Sequence, residues 1–190
     1  VAQRSYGLDG DVQVLKFDKN QDGIIDATKD DKVYLFFGMR GGGDRYFALD
    51  VTNRDDPQLM WDIGPSELPG IGQSWSPPVI TRIMVGTGGS ANGNDEKFVL
   101  VFGGGYDTGQ EVQPYSTDSV GNRIFIVDAV TGARLWYGGG PGTASPGVTF
   151  GKMTNAIPGR ITVIDTDGDL FADRMYAADM GGRIWRFDIT

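Results

Sequence analysis

Cysteine and histidine are both absent from the sequence. Without cysteine the chain can form no disulfide bond and offers no thiol nucleophile, and without histidine it cannot assemble a Ser-His-Asp triad. The usual zinc ligand sets, which draw on cysteine and histidine, are missing as well. These absences argue against hydrolase and dehydrogenase chemistry, so we expect a protein that is not an enzyme.

Long apolar runs and basic clusters are also missing. The longest apolar run covers residues 33–39, whereas a transmembrane helix needs about 20 apolar residues. With 17 Lys+Arg against 25 Asp+Glu, the formal net charge is −8, which argues against a nucleic-acid partner. The first four residues, Val-Ala-Gln-Arg, do not form a secretion signal. In an exported protein we therefore expect the signal to have been removed or to lie upstream of this segment.

Glycine, in contrast, is abundant, with 30 of 190 residues, roughly twice its usual share. Short stretches rich in Val, Ile, Phe and Tyr alternate with these glycines, whereas no stretch shows helical periodicity. The sequence therefore predicts many short strands joined by tight turns.

These short strands recur in three similar units, at approximately 6–64, 70–138 and 148–190. A unit reads as four strands, the last ending in tryptophan, and Asp50, Asp128 and Asp188 occupy equivalent places. Four antiparallel strands per repeat predict an all-β fold, a β-propeller of four-stranded blades. Closed propellers have about four to eight blades, and the third unit stops before its fourth strand. We therefore expect a partial propeller of about three blades, excerpted from a longer chain.

Two long polar segments, 104–122 and 138–154, interrupt the repeats. Both are rich in Gly, Ser, Thr and Pro, which is typical of surface loops. Loops on a rigid scaffold also serve as binding surfaces, so the sequence leaves their role open.

Two acidic loops carry oxygen side chains at positions 1, 3, 5 and 9. Alternate side chains of a tightly turning backbone can point to one centre, and calcium takes six to eight oxygen ligands. Position 7 would add a backbone carbonyl. The candidate ligands are Asp18, Asn20, Asp22, Ile24 and Asp26 in loop 1, and Asp165, Asp167, Asp169, Phe171 and Asp173 in loop 2. The alternative is that these Asp, Asn and Gly residues simply shape turns.

Both loops depart from the EF-hand pattern. Position 12 is Lys29 in loop 1 and Tyr176 in loop 2 instead of glutamate, and the flanks read as strands. Position 6, normally glycine, is Gly23 in loop 1 but Leu170 in loop 2, which suggests that loop 2 turns through Gly168 instead. The middle unit, at 85–97, lacks the ligand spacing, so we predict no metal there.

Two families share these motifs. The Asp, Thr-Gly and Trp run at 128–136 resembles the repeat of quinoprotein-like propellers. Together with 165–189 and 97–107, it resembles the C-terminal propeller of the PilC/PilY type IV pilus tip-associated adhesins. That resemblance implies both calcium sites, calcium control of pilus extension and retraction, and surface attachment. It also implies pilus subunits, minor pilins and surface receptors as partners, and export to the pilus tip, cell surface, outer membrane or periplasm of a Gram-negative bacterium.

Other interpretations remain open at this stage. Integrin-α-type propellers place similar calcium loops between the first two strands of a blade but usually lack the run at 128–136. Another calcium-stabilised extracellular binding propeller and a quinoprotein-like enzyme are further alternatives. Some adhesins of the pilus family carry an Arg-Gly-Asp tripeptide, but here the nearest sequence runs from Arg40 to Asp44 with three intervening glycines, so integrin binding is not implied.

Overall fold

The computed structural model describes residues 6–85, 96–112, 114 and 116–189. Strands account for nearly all of its regular structure, and short 3-10 turns occur at Ala27–Lys29, Arg40–Gly42 and Thr108–Glu111. The all-β prediction is therefore confirmed. Our prediction that the middle unit binds no metal concerns mainly residues 86–95, which lie outside the described residues. The strands are β1 (Gln13–Phe17), β2 (Lys32–Gly38), β3 (Tyr46–Asp50), β4 (Gln58–Ile63), β5 (Val79–Met84), β6 (Glu96–Gly103), β7 (Arg123–Asp128), β8 (Arg134–Gly139), β9 (Val148–Thr149), β10 (Thr162–Ile164), β11 (Arg174–Ala178) and β12 (Ile184–Asp188).

The strands form three sheets that follow chain order. Sheet 1 is β1-β2-β3-β4, sheet 2 is β5-β6-β7-β8-β9, and sheet 3 is β10-β11-β12. Consecutive strands from β1 to β4, from β5 to β8 and from β10 to β12 pair antiparallel. Because each strand pairs with its sequence neighbour, short turns and loops suffice to connect them.

One strand was not predicted from the sequence. Val148 and Thr149 form β9, which pairs parallel with β8 at the edge of sheet 2. These residues lie within the long segment 138–154, whose glycine and proline content is typical of a loop. A strand of two residues was therefore not predicted there. The chain thus adds a fifth strand to sheet 2 before sheet 3 begins.

Sheet 2 is buried on both faces. Along β6, Leu100 and Phe102 join the core shared with sheet 1, whereas Val99 and Val101 join the core shared with sheet 3. All six residues of β7 are buried. Side chains alternate between the faces of a strand, so a strand buried on both faces reads as a continuous apolar run. Sheet 2 is therefore the central layer, and sheets 1 and 3 cover its two faces.

Tryptophan residues join neighbouring sheets. Trp61, at the end of the sheet 1 repeat, stacks on Phe36 with a ring separation of 5.9 Å and donates its Nε1–H to the Ala129 carbonyl of sheet 2 at 3.1 Å. Trp136 of sheet 2 makes an edge contact with Phe187 of sheet 3 at 6.1 Å. Each tryptophan thus fills the space between one sheet and the next, and the Nε1–H bond aligns Trp61 with the turn after β7.

Two buried aspartates anchor the long segment 104–122. Asp107 accepts hydrogen bonds from the backbone of Gly109, Ser119 and Val120. Asp118 accepts from the Ala156 N–H at 2.6 Å. The Asp118 bond satisfies the buried N–H of Ala156, which would otherwise lack a partner, and the Asp107 bonds tie residue 109 to residues 119 and 120. In its described residues, the segment is therefore held against the linker between sheets 2 and 3.

We predict that Gly132→Ala destabilises the chain more than Gly182→Ala does. Both glycines are left-handed, with φ of 72° and 80°. A Cβ at Gly132 would lie 2.9 Å from Trp61 Cγ, whereas one at Gly182 would have nothing within 4 Å. Gly182→Ala should therefore lose only about 1–2 kcal/mol to the left-handed backbone. Gly132→Ala should lose about 1–3 kcal/mol more through overpacking. Urea unfolding checks both values, and equal losses would contradict the Trp61 contact.

Candidate metal sites

The two acidic loops occupy equivalent places in the fold. Loop 1 joins β1 to β2, and loop 2 joins β10 to β11. β1 and β10 are the first strands of sheets 1 and 3, and each pairs antiparallel with the strand that follows its loop. Each loop is therefore the closed end of a hairpin, which holds its first and last residues close together.

Loop 2 gathers three carboxylates. Asp165, Asp167 and Asp173 each offer one oxygen, and these oxygens lie within 4.8 Å of one another. Asp169 lies outside this group and accepts a hydrogen bond from the Phe171 N–H at 2.8 Å. The structure thus brings together three of the four predicted carboxylates of loop 2, and the Phe171 carbonyl stays a prediction.

Local hydrogen bonds lower the pKa of two loop 2 carboxylates. Backbone N–H groups of Gly168 and Leu170, at 2.7 and 2.8 Å, lower the pKa of Asp165. The hydroxyl and backbone N–H of Thr166 lower the pKa of Asp173. Among the described residues, no lysine or arginine forms an ion pair with the four aspartates of this loop. The charge of Arg174 contributes less to the lowered pKa of Asp173. Loop 2 therefore concentrates negative charge that, within the described residues, no ion pair neutralises.

Loop 1 uses the same backbone hydrogen bonds. Asp18 Oδ2 accepts from the Gly23 N–H, and Asp22 Oδ1 accepts from the Ile24 N–H, both at 2.8 Å. The other oxygen, Asp18 Oδ1, is buried and has no hydrogen-bond partner. A buried carboxylate oxygen without a partner loses its hydration uncompensated. A cation in the loop would supply the missing interaction, so this donor set fits calcium.

A lysine sits among the loop 1 carboxylates. Lys29 Nζ lies 2.9 Å from Asp22 Oδ2 and 3.9 Å from Asp26 Oδ2. The hydrogen bond from Lys29 is the main reason that the pKa of Asp22 falls to about 2. Asn20 Nδ2 also donates to Asp22 Oδ2, at 2.9 Å. Loop 1 therefore differs from loop 2 in carrying a cationic side chain of its own.

Asp31 holds loop 1 in place and was not predicted from the sequence. It is fully buried and accepts hydrogen bonds from the backbone N–H groups of Lys19 and Asp26, both at 2.9 Å. These bonds fasten the second and ninth positions of loop 1 to the start of β2. The available signal was an aspartate directly before an apolar strand, where its carboxylate can accept hydrogen bonds from backbone N–H groups.

The two loops share left-handed backbone at positions 4 and 6. In loop 1 these are Gln21 and Gly23, with φ of 57° and 82°, and in loop 2 they are Gly168 and Leu170, with φ of 85° and 75°. The suggestion that loop 2 turns differently is therefore wrong, because Leu170 itself adopts the left-handed conformation. Its side chain is 67% exposed, so the penalty arises in its own backbone and not from crowding.

Comparisons with known proteins place this architecture among pilus proteins. PilY1 of Pseudomonas aeruginosa, a type IV pilus biogenesis factor, is 30% identical over 158 residues, which cover 82% of this chain. A PilY1 homologue of Xylella fastidiosa is 26% identical over 162 residues. The crystal structure of the Pseudomonas aeruginosa PilY1 C-terminal domain matches 96% of this chain with a TM-score of 0.66 and 26% identity. No family model matches the chain.

These matches define the class as type IV pilus biogenesis factors. Within that class, the chain is homologous to the C-terminal domain of PilY1. It spans only 11% of the length of PilY1 and 30% of the crystallised domain. In the described residues, no helix is both long and apolar enough to cross a bilayer.

We predict that Leu170→Gly stabilises the metal-free chain, whereas Ile24→Gly destabilises it. The two side chains are equally exposed, at 67% and 66%, but only Leu170 has a positive φ. Glycine at Leu170 should relieve about 1–2 kcal/mol of strain against an entropic loss of about 0.5–1 kcal/mol. At Ile24 only the entropic loss applies. Chemical unfolding in a calcium chelator measures both, and destabilisation by Leu170→Gly would contradict the assignment of strain.

Proposed function

We propose that loops 1 and 2 bind calcium and that the chain is the calcium-binding propeller segment of a type IV pilus tip-associated adhesin. The observation that carries the proposal is the group of three loop 2 carboxylate oxygens within 4.8 Å of one another. Like charges at this distance repel, and a divalent cation between them removes the repulsion. The unpartnered Asp18 Oδ1 in loop 1 supports the same chemistry.

Calcium suits these loops better than magnesium or zinc. All the side-chain donors are carboxylate or amide oxygens, the ligands that calcium prefers, and calcium accepts the irregular geometry of a flexible loop. Magnesium requires a near-ideal octahedron and retains its waters, so it should compete poorly. Zinc is usually held by histidine and cysteine, both absent from the sequence.

We interpret the three sheets as successive propeller blades. Sheet 1 has four antiparallel strands in chain order, and β5 to β8 of sheet 2 repeat that order. Neighbouring sheets pack face to face through separate apolar cores, as blades do in repeat architectures. Asp50 and Asp128 both accept hydrogen bonds from the backbone of the turn that follows them, which supports a common repeat.

In this proposal calcium controls a surface rather than a reaction. The ion ties the first strand of a blade to the second, because its ligands come from the loop that joins them. Occupancy of the loops would thereby set the rigidity of this face of the propeller. By homology with PilY1, we propose that this change regulates pilus extension, retraction and surface attachment, with pilus subunits, minor pilins and surface receptors as partners of an exported protein without enzymatic activity.

We predict two calcium-binding events, with the tighter one at loop 2. Loop 2 offers four aspartates, whereas loop 1 has Asn20 in one of these places, and ligand charge is a main determinant of calcium affinity. Extracellular sites of this kind bind at about 10⁻⁴–10⁻³ M. In titration calorimetry, Asp173→Ala should remove the tighter event and Asp26→Ala the weaker one.

The matched control is Asp55→Ala, which removes an exposed aspartate whose only ion pair within the described part of the chain is with the neighbouring Arg54. It should leave both events unchanged. A tighter event that survives Asp173→Ala would reverse the ranking. Calcium binding that neither loop variant alters would overturn the assignment of both loops.

We also predict that Asp173→Ala in the full-length parent protein changes the number of surface pili. If occupancy of loop 2 controls extension and retraction, the variant in calcium should match the unaltered protein after calcium chelation, and chelation should then have no further effect on the variant. Pili are counted by electron microscopy and the protein is quantified by immunoblot, with Asp55→Ala as the control. A variant that responds to chelation as fully as the unaltered protein contradicts the regulatory role.

A further inference from the structure

Loop 1 already contains a positive charge at its carboxylates. The Lys29 ammonium donates a hydrogen bond to Asp22 Oδ2 at 2.9 Å and lies 3.9 Å from Asp26 Oδ2. Asp22 and Asp26 are the fifth and ninth positions of the loop, and both are predicted ligands. The ammonium therefore contacts two of the groups that a calcium ion would use.

We propose that Lys29 is a tethered cation that competes with calcium and sets the affinity of loop 1 for the ion. This inference rests on the proposed calcium binding and adds its regulation. Lys29 stands at position 12, where an EF-hand loop places the bidentate glutamate that completes the calcium shell. At the same position this chain supplies a cation in place of a ligand.

Calcium must displace Lys29 to use Asp22 fully. Asp22 Oδ2 accepts hydrogen bonds from both Lys29 and Asn20, and Asp22 Oδ1 accepts from the Ile24 N–H. Both carboxylate oxygens are thus engaged in the metal-free loop. An ammonium left beside a divalent cation would be repelled, so binding and release of Lys29 are coupled.

The lysine can leave without unfolding the loop. Its side chain is 44% exposed, so the ammonium can turn into water. The loop ends stay fastened by the buried carboxylate of Asp31, which accepts from the backbone of Lys19 and Asp26. Displacement therefore costs an exposed ion pair and not the fold of the hairpin.

The remaining lysine of the loop has a different position. Lys19 Nζ lies 2.7 Å from Asp30 Oδ2, and Asp30 is not among the predicted ligands. Lys19 and Lys29 thus carry the same charge in the same loop, but only Lys29 pairs with ligand carboxylates. This difference supplies a matched control for the general effect of charge.

The test compares Lys29→Gln with Lys19→Gln in the 190-residue chain. Calcium is titrated while the backbone amides are followed by NMR, with Gly23 reporting loop 1 and Gly168 reporting loop 2. We expect Lys29→Gln to tighten calcium binding at loop 1 by about three- to tenfold, the effect of removing a competing ion pair and a repelled charge. Lys19→Gln should tighten calcium binding at loop 1 by less than about twofold, since Lys19 pairs with Asp30 and acts on the predicted ligands only through a screened charge.

Lys29→Arg provides the complementary variant, because it retains the charge and should retain the weaker binding. Calcium affinity at Gly168 should be the same in all variants. An unchanged affinity at Gly23 in Lys29→Gln, with normal binding at Gly168, overturns the role of Lys29 and leaves the calcium function standing. Equal increases in calcium affinity from Lys19→Gln and Lys29→Gln also overturn it, because the effect would then come from the change in net charge. Absence of a calcium response at both glycines overturns the calcium function itself, and the inference with it.

Discussion

The burial of sheet 2 on both faces is the constraint on which the rest of the structure depends. β6 and β7 direct alternate side chains into two separate cores, so the same strands hold sheet 1 on one side and sheet 3 on the other. An apolar sheet face left in water loses the favourable free energy of burial. Because sheet 2 buries the inner faces of both outer sheets, the hairpins of those sheets can carry loops whose residues contribute little to packing.

The acidic loops belong to those hairpins, and their shape is set by local backbone bonds. In each loop the aspartates at positions 1 and 5 accept hydrogen bonds from backbone N–H groups of the turn that follows. These bonds fix the orientation of both carboxylates in the metal-free chain. The repulsion between carboxylates is met differently in the two loops. Lys29 offsets it in loop 1, whereas loop 2 has no such cation among the described residues and accumulates the charge on which we base the proposed function.

The left-handed positions show how one backbone can be encoded by two sequences. Each loop has positive φ at positions 4 and 6, with glycine at position 6 in loop 1 and at position 4 in loop 2. One non-glycine residue in each loop, Gln21 or Leu170, therefore adopts a conformation that glycine would tolerate better. The carboxylate bonds to the backbone maintain that conformation, since Leu170 donates its N–H to Asp165.

The sequence by itself determined the all-β class, the similarity to pilus adhesins and the location of both acidic loops between the first two strands of a repeat. The class and the loop positions follow from local patterns, because strand periodicity, glycine turns and ligand spacing each depend on residues close in the chain. The similarity rests on the motifs at 97–107, 128–136 and 165–189. Only the tertiary structure decided that β9 pairs with β8, that Asp31 fastens loop 1 and that Lys29 reaches Asp22 and Asp26. Those contacts depend on side-chain direction and on register between strands, which spacing in the chain does not specify. The same reason explains Leu170, whose left-handed backbone was disfavoured by its residue type and imposed by the loop around it.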